Sequence, residues 1–136
     1  MKTESDIKND LYGYIKSTDL MKSISGKIFK YEEERPEKSM AEDIVIAPLT
    51  ETPFSDIQET VVMLRLYVRD LFDSVNQIYR ADSLRISELE SICKDTFLRF
   101  RTDGARCVME NIKTFKIDSS QEHCIVCRIN YKFCNH

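Results

Sequence analysis

The sequence predicts one α+β domain spanning residues 1–136, with a mostly antiparallel sheet of about five strands and two main helices packed on one face. Three observations support this class. A chain of 136 residues suits a single hydrophobic core. Two stretches have apolar residues at helical spacing, and five have the pattern of a strand. Their order contains no repeated strand-helix-strand unit, which favours antiparallel pairing.

The first helix is predicted near the N-terminus. Thr3 or Ser5 can cap its first turn, the helix breaks near Ser17, and Gly26 ends it before Lys27. Its apolar stripe consists of Ile7, Leu11, Tyr14 and Ile15.

The second main helix is predicted over 83–101, where Gly104 stops it. Charged residues occupy the side opposite its apolar stripe, as expected for a helix that covers a core. The stripe consists of Ile86, Leu89, Ile92, Cys93, Thr96, Phe97 and Phe100.

Five strands complete the fold. Strands are predicted at 27–31, at 44–47 and at 59–69, and a C-terminal hairpin at 106–117 and 122–133. In the third strand the even-numbered residues should face the core, because side chains alternate between the two faces of a sheet. That face consists of Val62, Leu64, Leu66 and Val68.

An apolar segment follows the third strand. Its apolar residues are surplus, because the two helices and the strands already supply enough for one core of helices packed on a sheet. Its spacing allows a short helix or an apolar arm. A contiguous apolar patch on the surface of a protein usually marks a contact surface, although it can also cover an open end of the same core. We expect a subunit interface formed by Leu71, Phe72, Val75, Ile78 and Tyr79.

A charged segment between the first two strands has no apolar period. We expect it to be an exposed loop, mobile in the free subunit, that becomes ordered against a neighbour. The residues expected to contact a partner are Glu32, Glu33, Glu34, Arg35 and Lys38.

Composition excludes several function classes. The net charge of −3 disfavours bulk binding of nucleic acid. The N-terminus is polar where a signal peptide would be apolar, and no run approaches the length of a membrane span. The odd number of cysteines, five, suggests reduced thiols. We therefore expect a cytoplasmic protein without membrane partners.

No motif for catalysis or for a cofactor is present. The three glycines are isolated, so no phosphate-binding loop exists, and no Gly-x-Ser-x-Gly elbow occurs. The two histidines, His123 and His136, lie in or beyond the last strand. The expectation is a protein that is not an enzyme and needs no cofactor.

The C-terminal cysteines suggest zinc at first sight. Cys124 and Cys127 form a Cys-x-x-Cys pair, and Cys134 with His136 follows it. However, β-branched residues fill the pair's interior, and in a strand its two thiols point to opposite faces. We expect no metal site, with Cys127 in the core, and keep a small zinc-binding protein as a lesser alternative.

Basic residues alternate with aromatic ones in two strands, a pattern found in proteins that bind single-stranded nucleic acid. The same pattern more often belongs to a solvated or subunit-facing sheet surface. With a negative net charge, nucleic-acid binding is the less favoured interpretation. The residues are Arg65, Tyr67 and Arg69 in one strand, and Arg128, Tyr131 and Lys132 in the other.

The layout resembles phage tail completion and tail terminator proteins. The resemblance rests on LMKSISGKIF at 20–29, DIVIA at 43–47, VVMLRLYV at 61–68 and the closing segment HCIVCRINYKF at 123–133. It covers nearly the whole chain, and the segment 71–80 is longer than the usual connection.

The resemblance implies a structural assembly protein. Copies would form a ring, typically a hexamer, that caps the tail tube and joins it to the head, so the partners would be tail-tube and head-connector proteins. The protein would be cytoplasmic during assembly and then part of the virion of a phage or prophage. The alternative is an intracellular partner-binding module, such as an adaptor or immunity protein.

Overall fold

The computed structural model describes residues 2–49 and 57–134. Three α-helices, α1 (Glu4–Lys16), α2 (Asp19–Ser23) and α3 (Ser83–Phe97), accompany a 3-10 turn at Glu32–Glu34. The strands are β1 (Ile28–Phe29), β2 (Ile44–Leu49), β3 (Ile57–Arg69), β4 (Leu71–Asp73), β5 (Ile78–Arg80), β6 (Arg99–Thr102), β7 (Ala105–Ile117) and β8 (Glu122–Cys134).

The α+β class is confirmed, and the main sheet has six strands instead of about five. The strand order is β1-β2-β3-β8-β7-β6, and every pair is antiparallel except β1 with β2. β4 and β5 form a separate two-stranded sheet. The segment between β2 and β3 that contains Pro53 lies outside the described residues.

Helix α1 begins where the sequence predicts. Thr3 caps it reciprocally: the Asp6 amide donates to Thr3 Oγ1 at 3.1 Å, and the Thr3 amide donates to Asp6 Oδ2 at 2.8 Å. The helix breaks at Ser17, whose hydroxyl donates to the Tyr14 carbonyl. The predicted apolar stripe buries Ile7, Leu11 and Ile15 against the sheet.

The predicted inward face of β3 is confirmed. Its even-numbered residues are buried in the main core, where they pair with the inward face of β8, as in Val62 with Ile129 and Leu64 with Cys127. The helices α1, α2 and α3 all contribute to this core, so they lie on one side of the sheet. We call the opposite, helix-free side of the sheet the open face.

The predicted helix over 83–101 is too long. α3 ends at Phe97, and the next residues form the edge strand β6, which pairs with β7. Thr102 pairs with Ala105, so Asp103 and Gly104 form a two-residue hairpin loop, with Gly104 at a φ of 72°. Asp-Gly is a typical residue pair for such a loop. Gly104 therefore marks a hairpin and does not stop a helix.

An aromatic cluster joins the helices to this edge strand. The Tyr14 ring stacks on Phe100 with centroids 4.2 Å apart, and Phe97 meets Phe100 edge-on at 6.0 Å. The Tyr14 hydroxyl donates to the Thr96 carbonyl at 2.7 Å. Helix α3, with 15 residues, is the longest described helix, and no helix in the described ranges is long and apolar enough to span a membrane.

Replacing Gly26 with alanine should lower the free energy of unfolding by about 1–3 kcal/mol, the usual cost of overpacking. An added Cβ would lie 2.6 Å from the carbonyl carbon of Glu42 and would also clash with Asp43, so backbone would have to move. Urea denaturation followed by circular dichroism measures the loss.

Gly13 provides the matched control. A Cβ at this position in α1 meets nothing within 4 Å, so Gly13→Ala should stabilise the helix by about 0.5–1 kcal/mol. Equal destabilisation by both variants would show that the close approach at Gly26 does not govern its cost.

Candidate functional site

The apolar segment after β3 forms a β-hairpin. Of the two forms that its spacing allowed, it is therefore an arm and not a short helix. β4 pairs with β5 through Leu71 with Arg80, Phe72 with Tyr79 and Asp73 with Ile78. We call Leu71 to Arg80 the hairpin arm. Neither of its strands pairs with the six-stranded sheet.

The turn of the hairpin arm is held by one carboxylate. Asp73 Oδ1 accepts from the amides of Val75 and Asn76 at 3.0 and 3.1 Å, and Asp73 Oδ2 accepts from the Asn76 side chain at 2.9 Å. Arg80 pairs with the same carboxylate at 2.8 Å, and Gln77 adopts a φ of 57°. These hydrogen bonds lower the pKa of Asp73, so the turn keeps its anchor at neutral pH.

All five predicted interface residues lie on this arm, and all are exposed. These residues are between 46% and 88% accessible, and the Phe72 and Tyr79 rings contact each other edge-on with centroids 5.1 Å apart. These five residues do not cover an open end of the core, which was the alternative. The set is Leu71, Phe72, Val75, Ile78 and Tyr79.

A cleft of about 480 Å³ lies between the base of the hairpin arm and the body of the domain. Phe72 and Tyr79 form its wall on the arm side, and Glu42, Asp82 and Arg85 line the opposite wall. Arg85 is fixed there by Glu42, with 2.6 Å between Nε and Oε2, and by a hydrogen bond that its Nη2 donates to the Ser23 carbonyl. The cleft therefore combines aromatic surface with charged groups.

The predicted partner-contact loop is anchored to the domain through Arg35. Glu33, Glu34 and Lys38 are exposed as expected, whereas the Arg35 side chain is turned inwards and is only 9% accessible. Glu32 accepts a hydrogen bond from the Tyr67 hydroxyl at 2.6 Å. The expectation that the whole loop is exposed is wrong for Arg35, because two buried carboxylates bind its side chain.

The Arg35 network joins this loop to Asp43, directly before β2, and to β3 and β8. Arg35 Nε donates to Asp43 Oδ2 at 3.0 Å, and its Nη2 donates to Glu122 Oε1 at 2.6 Å. The guanidinium lies 3.9 Å from the centre of the Tyr67 ring. Ser39 donates to Asp43 at 2.6 Å. These five side chains lie together at one corner of the open face.

Electrostatics within the network favour the charged arginine. Burial alone would lower the pKa of Arg35, but its hydrogen bonds to Glu122 and Asp43 outweigh that effect and raise the pKa. Burial also raises the pKa of Tyr67, together with its hydrogen bond to Glu32. Arg35 is therefore an ionic anchor, and no local signal marks it because Glu122 is 87 residues away along the chain.

A buried carboxylate also binds the one histidine of the described ranges. Asp70 Oδ1 lies 2.6 Å from His123 Nδ1, and Asp70 Oδ2 accepts from Lys116 Nζ at 3.0 Å. Within the described residues no hydroxyl or thiol hydrogen-bonds to His123. Asp70 could orient the His123 imidazole, as the acid of a catalytic triad does, but no described nucleophile completes the arrangement. The Asp70–His123 contact ties the end of β3 to the β7–β8 hairpin.

The cysteines follow the sequence prediction where the structure describes them. Cys127 is in the main core, whereas Cys124 is in a small cluster with Val45 and Tyr67 on the open face. A hydrogen bond with Cys93 and burial raise the pKa of Cys127, and burial raises the pKa of Cys107 and Cys124 to about 12.

Such thiols are poor nucleophiles and poor metal ligands at neutral pH. No group of metal-ligating side chains occurs in the described part of the chain. The remaining zinc candidates, the side chains of Cys134 and His136, lie outside the described residues.

The alternating basic and aromatic residues divide between the two faces. Arg65, Arg69, Arg128 and Lys132 lie on the open face, as does Tyr67, whereas Tyr131 is buried in the main core. The Tyr131 hydroxyl contacts Asp10, and burial and this hydrogen bond raise the pKa of Tyr131 to about 12. The basic residues, without Tyr131, therefore belong to one surface.

Comparison with known proteins adds no relative: no protein-family model matches the chain, and no curated protein matches it significantly. The candidate sites consequently rest on geometry. The hairpin arm with its cleft, and the open face, are the two surfaces with features that the core does not explain.

Proposed function

We propose that this protein is a structural assembly subunit that forms a ring through its hairpin arm, in the manner of the phage tail terminator proteins its layout resembles. One observation carries the proposal. The hairpin arm presents five large apolar side chains to solvent while its turn is locked by Asp73.

Stability of the isolated domain does not account for the arm. A two-stranded hairpin is marginal by itself, and burying its apolar residues elsewhere would stabilise the domain. An arm already fixed in its bound shape loses less conformational entropy when it binds, which favours association. Exposed apolar surface on such an element is typical of a subunit contact.

The arm and the cleft differ in shape, which favours a head-to-tail contact. In such a contact the arm of one copy binds a different surface of the next, and the chain of contacts closes into a ring when the rotation per subunit is suitable. The ring would cap the tail tube. Glu33, Glu34 and Lys38, exposed near one corner, would remain available to the tube or to a head connector.

The oligomeric state tests the proposal. We expect wild-type protein in light scattering to have a mass that is a small multiple of 16.0 kDa, six-fold for a hexamer. The double variant Phe72→Ser and Ile78→Ser should be monomeric and folded, because both side chains are exposed. Leu98→Ser is the matched control, since Leu98 is half exposed at the C-terminal end of α3 and does not line the cleft, and it should stay oligomeric.

The biological role needs a second measurement. Wild-type protein added to polymerising tail tubes should shorten them and appear as a ring at their ends by negative-stain microscopy, and the double variant should not. A wild type that stays monomeric at high concentration and leaves tubes unchanged would contradict both steps and favour the adaptor or immunity-like alternative.

A further inference from the structure

The open face concentrates the positive charge of this chain. The strand residues that point to this face include eight lysines and arginines and three glutamates, although the whole chain has a net charge of −3. The positive residues are Arg65, Arg69, Arg99, Arg101, Arg106, Lys113, Arg128 and Lys132, and the glutamates are Glu59, Glu110 and Glu122. The net charge of the whole chain therefore does not describe the strands of this face.

Most of these cations have no partner in the described structure. Ion pairs involve Arg65 with Glu32, Arg128 with Glu110 and Lys132 with Glu59. The side chains of the other five form no hydrogen bond or ion pair with a described residue, and Glu122 is already held by Arg35. The surface consequently keeps an uncompensated positive field.

Three cations are direct cross-strand neighbours. Lys132 pairs with Arg106 across β8 and β7, and Arg106 pairs with Arg101 across β7 and β6. Like charges directly opposite each other destabilise a sheet. Charges on the edge strand β6 discourage edge-to-edge aggregation, but that role does not explain Arg106 or Lys132 on inner strands. A bound anion would remove the repulsion.

A hollow with an exposed aromatic ring lies on the same face, further along β7 and β8. It has a volume of about 240 Å³ and is lined by Met63, Val126, Asn111, Lys113, Phe115 and Arg128. The Phe115 ring is half exposed. The hollow thus offers a planar apolar surface, an amide for hydrogen bonding and two cations at its margin.

We propose that the open face binds single-stranded nucleic acid. Phosphates would lie along Arg101, Arg106 and Lys132, and a base several nucleotides further along the bound strand would stack on Phe115 in the hollow. A sheet with helices on one side only can present stacking residues and cations to an unpaired strand. A duplex cannot offer unpaired bases to Phe115, and an acidic peptide would satisfy the cations but leave the ring unused.

Fluorescence anisotropy with labelled oligothymidylate and oligouridylate of about 20 nucleotides tests the proposal, at about 50 mM salt. We expect both to bind, more tightly than a duplex. Phe115→Ala should weaken binding about 5- to 100-fold, the usual effect of losing one stacking contact, and Phe115→Tyr should restore it. Arg101→Ala with Arg106→Ala should reduce the slope of log affinity against log salt by about 1.4.

Lys22→Ala with Lys94→Ala, on α2 and α3, is the matched control and should leave affinity unchanged. The double variant in the hairpin arm should also bind normally, so failure of ring formation and failure of this proposal are distinguishable. Absence of binding, or a labelled polyglutamate peptide binding as tightly as the oligonucleotides with no effect of Phe115→Ala, would overturn it.

Discussion

Replacing Arg35 with alanine is expected to lower the free energy of unfolding by about 3–5 kcal/mol, the usual cost of leaving a buried charge uncompensated. Asp43 and Glu122 have side chains only 3% and 10% accessible, and both lose their guanidinium partner at once. The variant also loses the cation over the Tyr67 ring. Urea denaturation, followed by circular dichroism, measures the loss.

Arg65→Ala is the matched control on the same face. Its ion pair with Glu32 is 3.6 Å long and largely exposed, so its loss should cost no more than about 1 kcal/mol. The free-energy cost of Arg35→Lys should lie between those of Arg35→Ala and Arg65→Ala, because an ammonium keeps the charge but cannot form the forked contact. Equal costs for Arg35→Ala and Arg65→Ala would refute the network as the anchor of the loop.

Phe97→Ala should lower the free energy of unfolding by about 3–5 kcal/mol, as large-to-small changes in a core do. The Phe97 ring is 1% accessible and contacts Tyr14 and Phe100, so the cavity would lie where α1, α3 and β6 meet. Thermal and urea unfolding of the purified variant measure the effect.

Leu98→Ala separates burial from helix effects. Leu98 follows Phe97 directly, caps the same helix and is about half exposed, so its truncation should change the free energy of unfolding by no more than about 0.5 kcal/mol. A loss at Leu98 as large as that at Phe97 would mean that the end of α3, and not the aromatic cluster, controls stability here.

Local patterns in the sequence determined the elements whose partners are close along the chain. The stripe of Ile7, Leu11 and Ile15 specified α1, and strict alternation specified the buried face of β3. The opposite orientations of Cys124 and Cys127 followed from the same period of two, which also placed Cys127 in the core.

Tertiary structure alone decided the features whose partners are distant. Arg35 stands in an acidic run and turns inwards because Asp43 and Glu122 meet there, and Glu122 is 87 residues away. Phe100 continues the apolar period of α3, yet pairing with Cys107 across the Asp-Gly loop draws it into β6.

The charge of the open face has the same origin. No single strand is strongly basic, and a sheet places Lys132, Arg106 and Arg101 side by side only after β6, β7 and β8 have paired. The sequence shows the hydrophobic period of each helix or strand, because this period depends only on residues that are close along the chain. The surfaces on which function depends are composed across strands, so they exist only in the folded chain.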